Sequence, residues 1–126
     1  MPFTVECIRD KYILVKVMGE FNALVLKDIA SEASKFVIQT GCKSILVDLR
    51  SASLTGGELD TFKMPDVARG AGITSSVRRA LIVGERKNEF HFLETVFRNR
   101  GNDTRIFERE ADAKAWLLKP TAKTTG

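Results

Sequence analysis

Strand-like and helix-like segments alternate from Lys43 to Leu118, and the strand that opens this stretch is apolar at three consecutive positions, Ile45-Leu46-Val47. A half-exposed strand alternates apolar with polar residues, so a strand that is apolar on both sides has to be covered on both faces. Strands joined through intervening helices pair in parallel by right-handed crossovers. These constraints place the chain in the α/β class, with a mostly parallel sheet whose strand-end loops gather along one edge.

Ahead of this stretch, Phe3 to Ile8 and Tyr12 to Met18 read as two strands joined by the hairpin-length Arg9-Asp10-Lys11, with Ile13, Val15 and Val17 forming a fully apolar face. Gly19-Glu20-Phe21-Asn22 is expected to break the second strand, and Asn22 is a favoured N-cap. Leu26, Ile29, Ala30, Ala33, Phe36 and Val37 then recur at helical spacing until Gly41. A third strand is expected over Lys43–Leu49, followed by a polar loop. The next helix, Glu58–Gly70, contains Pro65, which should kink it or split it. Arg78–Val83 reads as a strand, Asn88–Arg100 as a helix and Thr104–Phe107 as a short strand. Glu110–Leu118 is a last helix with Ala113, Trp116 and Leu117 facing inward. The order β-β-α-β-α-β-α-β-α predicts one domain over residues 1–118. It has a five-stranded mixed, mostly parallel sheet with an antiparallel edge hairpin, and four helices. Residues 119–126 read as a flexible polar tail.

A chain of 126 residues buries roughly two thirds of its unfolded surface as one domain. No run approaches the ~18 consecutive apolar residues of a membrane span, so no transmembrane segment is expected. Met1-Pro2-Phe3-Thr4-Val5-Glu6 lacks the pattern of a signal peptide, which points to the cytoplasm. Cys7 and Cys42 suit neither a disulfide framework nor a zinc site; no metal or cofactor is expected. The net charge of +4 comes from basic residues that no recognition motif accompanies and no aromatics interleave, so nucleic acid is not an expected partner.

Asp48 ends the third strand, and Ser51, Ser53, Thr55, Gly56, Gly57 and Glu58 follow it into a helix N-terminus. Such a segment can bind an anion or a protein partner, and Arg86 and Lys87 leave the next strand on the same edge. Glu58 opposes an anion, and the plainer role for the glycines is turn geometry. His91 is the single histidine, and no nucleophile or second acid accompanies it or Asp48 in a recognisable spacing. A hydrolase built on Asp48 and His91 would need both within hydrogen-bond reach. Phe90, Leu93 and Phe97 make one helical face, while Phe92 and Val96 make a second stripe. With Phe62 and Met64, that stripe can line an apolar pocket for a small molecule or form the surface of a homodimer; a larger core is the alternative.

Several segments carry a family likeness: Ile45-Leu46-Val47-Asp48-Leu49 with its polar sequel, Ala80-Leu81-Ile82-Val83, the run Glu89 to Gly101, Arg105-Ile106-Phe107, and Glu110 to Leu117. Over roughly Phe3 to Leu118 the chain resembles the STAS family, shared by anti-sigma-factor antagonists and the cytoplasmic tails of sulfate transporters. The later segments resemble a bacterial STAS-like subgroup that is also compared with the SEC14 (CRAL-TRIO) lipid-binding fold. The resemblance implies a non-enzymatic regulatory module acting through protein–protein contacts, with a carrier or sensor of a lipid-like molecule as the alternative. In the antagonists the loop ends in Asp-Ser-Ser-Gly, whose serine a partner kinase phosphorylates. Here Gly56, Gly57, Glu58 and Leu59 stand at those positions, so a glutamate replaces the serine.

Overall fold

A computed structural model describes residues 3–119; residues 120–126, most of the expected tail, lie outside the described residues. The elements are β1 (Phe3–Ile8), β2 (Tyr12–Phe21), α1 (Ala23–Thr40), β3 (Ser44–Leu54), α2 (Gly57–Gly70), β4 (Arg78–Ile82), α3 (Lys87–Asn99), β5 (Thr104–Phe107) and α4 (Glu110–Leu117). The sheet runs β1-β2-β3-β4-β5, with β1 antiparallel to β2 from Phe3↔Val17 to Ile8↔Tyr12 and the remaining pairs parallel.

Because each strand is added beside the one before it, right-handed crossovers lay α1, α2 and α3 on the same face. The main core fills that layer: Ile13, Val15, Val17, Ile45, Leu49, Leu81 and Val83 meet Ile29, Ala33, Met64, Phe90, Leu93 and Phe97. The last helix, α4, follows the final strand and covers the opposite face. There Ala113 and Leu117 bury Tyr12, Leu46, Ala80 and Ile82. Trp116 stays half-buried, its ring 5.7 Å from that of Phe107, with the Arg78 guanidinium 4.5 Å above it. The consecutive apolar run of β3 has its explanation here: Ile45 and Val47 face three helices, and Leu46 faces the fourth.

Asn22 caps α1 by accepting from Val25 N at 3.0 Å, and Gly41, at φ 74°, ends it with its N–H on Val37 O. Three boundaries depart from expectation. Strand β2 continues through Gly19 to Phe21, whose buried ring belongs to the core. Pro65 does not split α2; the helix continues because Thr61, Met64, Pro65 and Ala68 on its inner side are all buried. The third departure is the largest: β3 runs on to Leu54, so most of the expected polar loop is strand.

Candidate functional site

The extension of β3 depends on a bulge. Lys16 pairs with Asp48 and Met18 with Ser51, so Leu49 and Arg50 together oppose Val17 alone. Asp48 holds the extra residue in place. Its Oδ1 accepts from Arg50 N at 3.1 Å and from Arg50 Nε at 3.0 Å, and its Oδ2 accepts from Arg50 Nη2 at 2.8 Å. Hydrogen bonds from Arg50 keep the Asp48 carboxyl below its ordinary pKa, and the same contacts raise the Arg50 guanidinium. Arg50 Nη2 also reaches Glu110 of α4 at 3.3 Å, tying the bulge to the opposite layer. Inward-facing residues switch from the 45, 47, 49 series to Ala52, which is fully buried, and Ser51 and Ser53 are left exposed.

Strand β4 ends at Ile82, opposite Asp48, so the last residues of β3 have no strand on that side. Side chains from the start of α3 take its place. Arg86 Nη1 donates to Ala52 O and, at 3.3 Å, to Ser53 Oγ. Glu89 Oε2 accepts from Leu54 N at 2.7 Å. On the β2 side, Thr55 N donates to Phe21 O at 3.0 Å, and Asn22 Nδ2 donates to Thr55 Oγ1 at 3.2 Å. The Thr55 hydroxyl lies 3.5 Å from Glu20 Oε1. Asp60 Oδ2 accepts from Ala23 N, the first helical N–H of α1, at 2.8 Å. Gly56 and Gly57, at φ 94° and 78°, turn the chain into α2 in a conformation that other residues rarely adopt. The N-termini of α1, α2 and α3 thus converge on the end of β3.

Of the residues singled out in the sequence, Ser51, Ser53, Thr55, Gly56, Gly57, Glu58 and Arg86 come together at this edge. Lys87 turns away, toward Glu108 at 4.0 Å. Arg86 bonds β3 itself, and the carboxylates of Glu20, Asp60 and Glu89 are bonded at the same edge beside Glu58, so the expected meeting of two loops on an anion is opposed by charge. Glu89 was not legible as a site residue, because its partner is a backbone N–H exposed only by the strand extension.

The four apolar candidates do not line one pocket. Met64 and Val96 are 0% and 5% exposed in the core, whereas Phe62 and Phe92 are 55% and 39% exposed. A cavity does lie elsewhere, between the sheet and the helices, among Phe21, Ile29, Ala33, Leu81, Leu93 and Phe97, with Arg79 and Thr104 as its polar members. Arg79 had a sequence signal: Leu81 and Val83 face inward, and the two-residue period of a strand puts Arg79 on the same side. Burial draws its guanidinium pKa down to about 10, which leaves it charged at neutral pH. His91 lies on the outside of α3, 3.8 Å from Glu94, while Asp48 is engaged with Arg50. Cys7 and Cys42 are free thiols, the first half-buried and the second buried. Among the described residues no three His, Cys, Asp or Glu side chains are grouped to hold a metal ion, and no helix is long and apolar enough to cross a membrane.

The chain has the SpoIIAA-like, STAS-type fold. It is similar to the anti-sigma factor antagonist SpoIIAA in its unphosphorylated form, with a TM-score of 0.57 and 14% identity over 91% of this chain and 95% of that one. A DUF3478-family protein with a SpoIIAA-like fold from Shewanella loihica PV-4 matches with a TM-score of 0.58 and 16% identity over 91% of each chain. No family model matches the sequence. No curated protein matches it either.

Proposed function

We propose that this chain is a non-enzymatic regulatory module that binds a protein partner through the end of β3 and the outer side of α2. The observation that carries this reading is the exposure of Leu59 (81%) and Phe62 (55%), one helical turn apart, beside Glu58. Two large apolar side chains next to carboxylates suit a partner surface that offers an apolar pocket rimmed by basic groups. The backbone behind them is fastened by Asp60, Thr55, Arg86 and Glu89, so little conformational freedom has to be lost on binding. The role of anti-sigma factor antagonist carried by one structural neighbour is consistent with regulation by protein contact. Glu58, in place of a phosphorylatable serine, gives this edge a fixed negative charge that no kinase needs to supply.

A photo-crosslinking residue at Leu59 tests the reading. The expected result is a discrete adduct in cells, either with another protein or with a second copy of the chain, that the same probe at the exposed Lys35 on α1 does not give. Equal labelling at both sites, or turnover of an ester or phosphate substrate abolished by Asp48→Asn, would refute it.

A second reading, a carrier or sensor of an apolar small molecule in the cytoplasm, is motivated by the cavity beneath α1 and α3 rather than by the Phe62, Met64, Phe92 and Val96 set. Native mass spectrometry of freshly purified protein is its test: bound mass supports it, and ligand-free protein after growth in rich medium counts against it.

A further inference from the structure

The two ends of the parallel strands differ in charge. Strands β2 to β5 finish where Glu20, Glu58, Asp60 and Glu89 gather, with Leu59 and Phe62 exposed beside them. The cations there are Arg86, which bonds β3, and Lys63, which follows Phe62 on α2. The same strands begin at the opposite end of the molecule, and a groove opens between those beginnings and the end of α4. Lys11 precedes β2, Lys43 precedes β3, Arg78 opens β4 and Lys119 follows α4, so the groove has a cationic rim. Its apolar side is formed by Leu117, which is buried, and Leu118, which is 44% exposed.

Arg78 fixes this rim. Its Nη1 donates to Trp116 O and to Lys119 O, each at 3.1 Å, and its Nε donates to Asp103 at 3.2 Å. Among the described residues no carboxylate lies within ion-pair distance of Lys11, Lys43 or Lys119. The segment that continues from Lys119, Pro120-Thr121-Ala122-Lys123-Thr124-Thr125-Gly126, has neither an acidic nor a large apolar side chain, so its composition does not complement the groove.

We propose that the partner of the α2 surface is a second copy of this chain, bound head to tail. Glu58, Leu59 and Phe62 of one copy enter the groove of the next, with the apolar pair against Leu118 and the carboxylate toward Lys11, Lys43 and Lys119. The proposal rests on the reading of α2 as a contact surface and names what it contacts. Apolar side chains beside carboxylates at one end match an apolar patch rimmed by ammonium groups at the other, so burial and charge favour the same pairing. Two copies set patch to patch would instead bring like charges together. Because the two surfaces lie at opposite ends of the molecule, each contact leaves one patch and one groove open. The assembly therefore extends, or closes into a ring, rather than stopping at a two-fold dimer.

Analytical ultracentrifugation of the full chain over a concentration series is the test, with a photo-crosslinking residue at Leu59 to locate the contact. Mass should rise with concentration, and raising the salt to about 1 M, where the Debye length is about 3 Å, should weaken association. Leu59→Ala with Phe62→Ala removes the patch, and Lys43→Glu with Lys119→Glu removes the groove. All of these positions are exposed, so the circular dichroism of both variants should match the parent. Each variant alone should be monomeric. An equimolar mixture should form a one-to-one pair and nothing larger, because only one working patch and one working groove remain. In the purified chain the probe at Leu59 should join peptides that carry Lys43 or Leu118. A crosslink from Leu59 to Leu59, association that salt leaves unchanged, or association that persists in either variant would overturn the proposal. A monomer that persists to about 1 mM would overturn it too. In that case the same probe in cells separates the proposal from the reading beneath it: a discrete adduct with a different protein keeps the α2 contact surface, and no adduct overturns that surface as well.

Discussion

Replacing Gly56 with alanine probes the junction on which the candidate site is built. A Cβ at this position would lie 2.5 Å from Asp60 Oδ2, 2.7 Å from Asp60 Cγ and 2.8 Å from Asp60 Cβ, on a backbone at φ 94°. The left-handed backbone alone costs an alanine about 1–2 kcal/mol. Asp60 must also withdraw from Ala23 N, where its carboxylate accepts at 2.8 Å. Loss of a hydrogen bond to a charged group costs about 1.5–3 kcal/mol. Gly56→Ala should therefore destabilise the fold by about 2.5–5 kcal/mol, measured by urea unfolding followed by circular dichroism. Gly57→Ala is the control. It shares a positive φ of 78° but has nothing within 4 Å of the new Cβ, so its loss should stop at about 1–2 kcal/mol. In a cycle with Asp60→Ala, the bond to Ala23 N can be lost only once, so the double variant should cost about 1.5–3 kcal/mol less than the sum of the singles. Equal losses for Gly56→Ala and Gly57→Ala, or strict additivity in the cycle, would show that Asp60 does not join α2 to α1.

On α2 itself, Met64→Ala should lose about 2–5 kcal/mol because the side chain is wholly buried, whereas Phe62→Ala should stay within about 0.5 kcal/mol. The reverse order in unfolding experiments would mean that the inward side of the helix is misassigned. Asp48 is held below the ordinary carboxylate pKa of 3.8, so its ionised form contributes stability above that pH and loses it as pH falls toward the lower folded value. Asp48→Asn should therefore cost about 0.5–1 kcal/mol at neutral pH, with the gap to the parent protein shrinking below pH 3.8; a gap that widens on acidification would contradict the role given to Arg50.

Much of the architecture was legible because patterns of period two and period 3.6 dictate which faces need covering. Ile13, Val15 and Val17 named the inner face of β2, and Asn22 and Gly41 named the ends of α1 through chemistry local to each position. The candidate site was less legible. Arg50, Ser51 and Ser53 are small or polar, and no local preference marks them as strand; they extend β3 because Met18 to Phe21 of β2 run alongside and Asp48 fastens the bulge. The stripe of Phe92 and Val96 likewise divided once α3 was seated, with Val96 turned into the core and Phe92 toward solvent. Helical spacing states which residues share a side, but the width of the covered side depends on what packs against it.

The sequence by itself determined the α/β class, the order of elements and the covering of β3 on both faces, since each follows from local periodicity and from the need to bury apolar surface. Only the tertiary structure decided that Glu89 and Arg86 would complete the unpaired end of β3, that Asp60 would reach the start of α1, and that Arg79 would lie beside Thr104 at the wall of an apolar cavity. These contacts join residues far apart in the chain, and their geometry is set by strand register and crossover packing, which no stretch of sequence encodes alone.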